Sequence, residues 1–260
     1  MMLLFREMFW RLLRFFGWEI SSEPRMTVLF YHSISEGNDF FAVAPAMFEE
    51  QMQYLKKYYE VVPLSRAFLH AEGKRVTKNS VALTFDDGYR DFVEQVQPVL
   101  ERFQFPATLF VLSDAPDRGE LGNEYPLMGA ADVPKLNRAL VDVGSHGLSH
   151  KKLSKLPIEE AKKEIEESRD AIRERYGTVP AYLAYPKGSC NAPVKEAVQN
   201  AGFLGAVSVI QCGVHKGDDP YALPRVQIDS TTTRRIFGAK LTIAADWYYG
   251  IWFFLRGKWK

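Results

Sequence analysis

"VALTFDDGYRDF", Val81 to Phe92, sets an apolar, β-favouring run directly against two adjacent carboxylates and a glycine. Val81–Phe85 reads as a buried strand, because its side chains are mostly apolar, β-branched or aromatic with no regular polar alternation. Asp86 and Asp87 then repel one another, and one pKa rises unless a cation lies close. Neighbouring side chains of an extended chain point to different sides. One carboxylate can therefore bind a cation while the other faces a water that the cation activates. Gly88 lets the chain turn away without steric conflict.

Further strand-length apolar runs flank this one: Met26–His32 ("MTVLFYH"), Ala107–Leu112, Asp142–His146 ("DVGSH"), Ala181–Pro186 ("AYLAYP") and Gly205–Val209. Helical patterns alternate with them. Pro45 opens a helix whose Phe48, Met52, Leu55 and Tyr59 share a face. A second helix is expected from about Tyr89 to Phe103. A third carries Ile158, Ala161, Ile165, Ile172 and Tyr176 on one face, with Gly177 at its C-terminal cap. A fourth starts at Ala192 and stops before Gly202. His70–Ser80 is polar and reads as a loop. Strands alternating with helices predict an α/β fold with a parallel sheet, one domain over residues 24–230.

The chain has 260 residues, enough for one large core, and a net charge of +1, which argues against a nucleic-acid partner. Its two cysteines, Cys190 and Cys212, make neither a disulfide framework nor a CxxC metal site. In a parallel α/β barrel all C-terminal strand ends meet on one face. His32, Asp86, Asp87, His146, His150 and the Tyr185-Pro186 turn all fall at such ends. One carboxylate and two histidines are a normal ligand set for a catalytic divalent metal with an open position. The i, i+4 spacing of His146 and His150 reads as chelation from one side of a helical turn.

"TFDDG" (Thr84–Gly88), "SHGLSH" (Ser145–His150) and "LAYPKGSCN" (Leu183–Asn191) resemble, in order and spacing, the first three motifs of the polysaccharide deacetylase family. This is the NodB-homology group, carbohydrate esterase family 4. "YHSI" (Tyr31–Ile34) and "DPYALPRVQI" (Asp219–Ile228) resemble flanking segments of its poly-N-acetylglucosamine deacetylase-like branch. The resemblance implies a distorted (β/α) barrel of about seven parallel strands. It implies Asp87, His146 and His150 as ligands of a divalent metal, usually Zn2+. It implies Asp86 as general base in hydrolysing the acetamide of an N-acetylated glycan, with Tyr185, Pro186 and Lys187 at the substrate and oxyanion position. Three departures stand out. The third motif commonly begins with arginine, here Ala184; Arg225 is read as the replacement cation that orients Asp86. The aromatic residue after the motif's proline is here Lys187. The late leucine-x-x-histidine motif is not visible, and His32 is read as the replacement catalytic acid. A related amidase or deformylase, or a non-catalytic glycan-binding barrel, are the competing readings.

Both ends have a different character. In "MMLLFREMFWRLLRFFGWEI", Arg6, Glu7, Arg11 and Arg14 interrupt every apolar run, which excludes a cleavable signal and a spanning helix. Residues 1–22 read as an amphipathic helix lying in a membrane interface. Residues 231–260 end in "DWYYGIWFFLRGKWK", an aromatic run with a basic tail, and read as a second membrane-associating segment. These ends predict a monotopic or peripheral protein on the cytoplasmic face of a membrane, with the extracytoplasmic face as the alternative, acting on a glycan that can be lipid-linked.

Overall fold

The computed structural model describes residues 23–37, 39–114 and 125–255. Strand β1 (Met26–Tyr31) is followed by two short strands, β2 (Ser33–Ile34) and β3 (Ala42–Val43), which pair with each other. Helix α1 (Pro45–Tyr58), strand β4 (Glu60–Val61) and helix α2 (Ser65–Ala71) lead to β5 (Ser80–Phe85). A π-helical turn, Phe92–Val96, runs into α3 (Gln97–Phe103) and then β6 (Ala107–Val111). The alternation continues with β7 (Val141–Ser145), α4 (Ile158–Tyr176), β8 (Tyr182–Ala184), α5 (Ala192–Asn200) and β9 (Gly205–Val207). After β10 (Val226–Gln227) come α6 (Arg234–Lys240) and α7 (Ile243–Leu255).

β1 and β5 pair in parallel from Met26↔Ser80 to Tyr31↔Phe85, and every residue of both is buried. Burial on both faces explains why their sequences read as apolar runs rather than alternating patterns. The sheet order is β10-β1-β5-β6-β7-β8-β9, with β4 adding to β5, and every pairing is parallel. Val207 in β9 also bridges Leu223, three residues before β10. The path therefore curls back on itself, giving the expected distorted (β/α) barrel with seven strands on its main path.

The helices follow their sequence signals in most places. Pro45 occupies the start of α1, and Phe48, Met52 and Leu55 are buried. Gly177 ends α4 in a left-handed conformation (φ 63°), its N–H donating to Arg173 O at 3.1 Å. The helix expected from Tyr89 is shorter. Tyr89 instead bridges Leu127, and the helix begins as the π turn. The π turn suits Pro98, which has no N–H and would clash with the carbonyl four residues earlier in a regular α-helix. The wider turn before it removes that conflict. α2 also takes in His70 and Ala71 from the stretch read as a loop.

The C-terminal helices attach to the barrel by both aromatic and polar contacts. Phe237 of α6 packs edge-on against Tyr54 of α1 at 5.9 Å. Buried Lys240 donates to Gln227 O (2.5 Å) and Thr232 Oγ1 (3.1 Å). Asp246, in the first turns of α7, accepts two hydrogen bonds from Arg25, at 2.5 and 2.6 Å, and one from Gly213 N at 2.9 Å. Residues 1–22 and 256–260, which carry much of the membrane reading, lie outside the described residues. Among the described residues no helix is long and apolar enough to cross a membrane.

Gly144 in β7 lies opposite Phe110 in β6, and a Cβ there would sit 2.4 Å from the buried Phe110 ring. Gly144→Ala is expected to destabilise the fold by about 1–3 kcal/mol through overpacking. A lower urea midpoint with an unchanged slope is the measurement that checks it.

Candidate functional site

The C-terminal ends of β1, β5, β7 and β8 bring His32, Asp86, Asp87, His146, His150 and the 185–187 turn to one pole of the barrel. Asp86 N donates to Tyr31 O, continuing the ladder one residue past β5. The turn then starts earlier than the sequence suggested. Asp87 itself is left-handed (φ 72°), and Gly88 follows at φ 77°. That conformation is unfavourable for a residue with a Cβ. It sends the two carboxylates to separate partners.

Asp86 faces Arg225. The guanidinium donates to both carboxylate oxygens, at 2.7 and 2.8 Å, and both side chains are buried. Burial pushes the Asp86 carboxyl up, but Arg225 and then His146 hold it below the usual carboxylate range. Arg225 also donates to Ser208 O (2.9 Å) and Thr84 Oγ1 (3.1 Å). Its guanidinium carbon lies 4.5 Å from the Phe30 ring centre and 5.6 Å from that of Phe110.

Asp87 faces the histidines. Its Oδ1 is 3.3 Å from His146 Nε2 and 3.5 Å from His150 Nε2. One donor atom from each residue lies within 4.8 Å of the other two. The spacing of the histidines was right, but their expected helical turn is absent. Residues 146–150 form a loop in which Gly147 (φ 79°) and His150 (φ 60°) are left-handed. Glu164 of α4 holds that loop, accepting from Ser149 N at 3.0 Å and Ser149 Oγ at 2.5 Å.

The three residues fit a divalent cation. His146 Nδ1 lies 2.8 Å from Ala184 O; a carbonyl only accepts, so Nδ1 carries the proton and the other nitrogen, Nε2, is the one turned toward Asp87. Such a second partner is what orients a metal-binding histidine. Asp87 Oδ1 is buried with no hydrogen-bond partner, an unfavourable state that a cation would relieve. Burial and the neighbouring His146 pull His150 down to about 4, which leaves it neutral and able to ligate at neutral pH. Burial raises Asp87, yet His146 and the other two histidines hold it well below the usual range.

His32 packs its ring 4.6 Å from Phe41, and its Nδ1 is buried without a hydrogen-bond partner. Burial lowers its pKa although Asp87 and Asp86 pull the other way. Tyr185 is buried and its hydroxyl donates to Tyr221 O at 2.8 Å, so the ring supports the turn from beneath. Lys187 is exposed and left-handed (φ 57°), close enough to His150 to disfavour its charged form.

Two supporting carboxylates escaped the sequence reading. Glu164 looked like one of many charges on a helix. Asp91, four residues beyond Asp87, accepts from Ser33 Oγ (2.5 Å) and Ile34 N (3.1 Å), pinning the chain just after His32. Burial pushes the Asp91 carboxyl up to about 6 despite those bonds. Its clue lay in "DDGYRD", where a third acid follows at one helical turn, but nothing in the spacing names Ser33 as its partner.

Arg225→Met is expected to destabilise the protein by about 3–5 kcal/mol at neutral pH, because it strands the Asp86 charge in the interior. The lowered Asp86 pKa contributes stability above the ordinary carboxylate range that is lost on acidification. The difference from the native protein should therefore shrink as pH falls below about 4, checked by urea titrations along a pH series. Asp91 behaves oppositely. Its raised pKa favours the fold while it is protonated, so stability should fall by about 3 kcal/mol as pH rises from about 4 through 6. Asp91→Asn should remove that part of the pH slope, compared by denaturation at both ends of the window.

A profile of the polysaccharide deacetylase family matches residues 73–206, more than half of the chain. The chain is 25% identical over 226 residues to YxkH of Bacillus subtilis (strain 168), named for the same family, covering 86% of this chain and 78% of that protein. It is 23% identical over 214 residues to the poly-beta-1,6-N-acetyl-D-glucosamine N-deacetylase of Staphylococcus aureus (strain MRSA252), covering 77% of this chain and 72% of that one. The Streptococcus pyogenes deacetylase PplD in complex with acetate shares the fold, with a TM-score of 0.74 at 18% identity, over 85% of this chain and 99% of that one. With the barrel, the paired carboxylates and the two histidines in place, the matched span shows that this chain belongs to the polysaccharide deacetylase family.

Proposed function

We propose that the protein is a metal-dependent carbohydrate de-N-acetylase, hydrolysing the acetamide of an N-acetylated sugar in a polysaccharide or lipid-linked glycan. The observation that carries this reading is the division between two adjacent carboxylates. Asp86 is ionised and clamped by Arg225, while Asp87 shares a cation-sized space with His146 and His150.

Asp87, His146 and His150 would hold a divalent cation, and their nitrogen-rich donor set suits zinc, which would supply Lewis acidity at the reacting centre when bound. Asp86 takes a proton from the attacking water as its oxygen bonds to the acetamide carbon. Arg225 keeps Asp86 ionised and fixes the plane of its carboxylate. Lys187 N–H, next to Pro186 in a left-handed backbone, donates to the oxygen on which charge develops. Tyr185 and Pro186 hold that turn. His32 donates a proton to the leaving nitrogen as the C–N bond breaks, giving acetate and a free amino sugar. The proton that Asp86 took from the water replaces it, and Asp87 and Asp86 favour the charged imidazole against the effect of burial. The aromatic face of Phe41, next to His32 and 40% exposed, offers an apolar surface to a sugar ring. The composition of residues 1–22 and 231–260 supports a membrane surface as the working place.

The test is acetate release from an N-acetylglucosamine oligomer, with chelator and then with added zinc. Release should stop with chelator and return with metal. Asp86→Asn should lower kcat by about 10²–10⁴-fold while still binding zinc, whereas Asp87→Asn should lose zinc in calorimetry. Undiminished release from Asp86→Asn would sink the assignment of the base.

A further inference from the structure

Two short turns at the catalytic pole carry lysines beside the candidate site. One, Leu153–Lys155, follows the histidine loop; the other, Pro186–Gly188, follows β8. Ser154 N donates to Ser189 Oγ at 3.2 Å and the two hydroxyls lie 2.8 Å apart, so the turns are tied together. Leu153 is buried beneath the first turn. The second is fixed by Gly188, where a Cβ would lie 2.2 Å from a Val209 methyl. Lys152, Lys155 and Lys187 are exposed along this junction.

Four neighbouring carboxylates are already matched by other lysines. Lys151 bridges Glu160 (3.0 Å) and Glu164 (3.1 Å). Glu159 meets Lys162 at 2.8 Å, and Asp219 meets Lys195 at 2.6 Å. Among the described residues no carboxylate forms an ion pair with Lys152, Lys155 or Lys187. Three like charges on two joined turns repel one another, and an anion between them relieves that repulsion. Lys187 disfavours the charged form of His150, so its ammonium stands close to the reacting centre. It also holds a left-handed backbone (φ 57°), strain of the kind that persists at ligand-binding positions.

We propose that Lys152, Lys155 and Lys187 bind a negatively charged substituent of the glycan, a phosphate or carboxylate close to the acetamide that is hydrolysed. The proposal rests on the deacetylase reading and adds a substrate class: an anionic rather than a neutral chain of N-acetylated sugars. An anion bound here lies beside the turn that supplies Lys187 N–H, so it is carried by the substrate in the site. Phe41 lies against His32 at the end of β1, whereas the lysines follow β7 and β8, with the ends of β5 and β6 between. A sugar ring on Phe41 and an anion on the lysines therefore bracket the reacting centre. Charge then selects the glycan and fixes its direction across the site.

Acetate release by the full chain from an N-acetylglucosamine tetramer, with and without a phosphate on one O6, tests this. KM should be about tenfold lower for the phosphorylated tetramer, with kcat little changed, and the difference should vanish in about 0.5 M salt. Lys152→Gln combined with Lys155→Gln should reduce the preference by about two- to fivefold for each charge removed, while Lys152→Arg combined with Lys155→Arg keeps it. Cellotetraose with and without the same phosphate has no acetamide, so calorimetry on that pair repeats the comparison without turnover. Equal KM and equal binding within each pair overturn the proposal, as does a preference that survives both glutamine substitutions. If the glutamine variant loses only its sedimentation with phosphatidylglycerol vesicles, the lysines serve a membrane and the proposal fails. Preference for the phosphorylated cellotetraose, with no acetate released from either N-acetylglucosamine tetramer, upholds the anion site and refutes the deacetylase reading.

Discussion

The bidentate pair between Asp86 and Arg225 joins the end of β5 to the residue ahead of β10, with β1 lying between those two strands. Burying two charges is unfavourable unless geometry and further hydrogen bonds offset the loss of water. Here the guanidinium meets two carboxylate oxygens, a backbone carbonyl, a threonine hydroxyl and two aromatic faces. The segment that delivers Arg225 also contacts β9 through Leu223. The segment that closes the curled path from β9 to β10 is therefore also the one that carries the cation keeping Asp86 ionised.

Backbone conformation does the rest of the division. Among the described residues four non-glycine positions are left-handed: Asp87, Gln104, His150 and Lys187. Gln104 ends a helix, where such a conformation is common. The other three all belong to the candidate site. Strain of this kind persists only where surroundings over-determine it. The supports are identifiable: Glu164 behind the histidine loop, Tyr185 beneath the lysine turn, and Asp91 under the strap that follows His32. The site is thus loop-built but held by side chains from α4, the residue that follows β8 and the turn after β5.

The same barrel geometry separates chemistry from attachment. Parallel strands put all their C-terminal ends, and the reactive groups, at one pole. The chain must then enter β1 from the other, where Arg25 secures α7 through Asp246.

Much of this was legible in the linear order of residues. Apolar runs of strand length alternating with amphipathic helices carry the α/β barrel, because burial on both faces leaves an unmistakable composition. "TFDDG" and the His146/His150 pair carry the candidate ligands, because donor type and spacing are local properties. Arg225 could be suspected from the missing charge at Ala184, but its seat on Asp86 lies 139 residues away in sequence and depends on how β10 meets β1. The helical turn expected for the histidines became a loop because Gly147 and Glu164 reshape it, and the helix expected from Tyr89 starts later because Tyr89 bridges Leu127. Residue types and their periodicity determined which groups take part and which strands carry them. Only the tertiary structure decided which carboxylate meets the arginine, which meets the histidines, and that Arg25 meets Asp246, because those are contacts between segments that local sequence does not bring together.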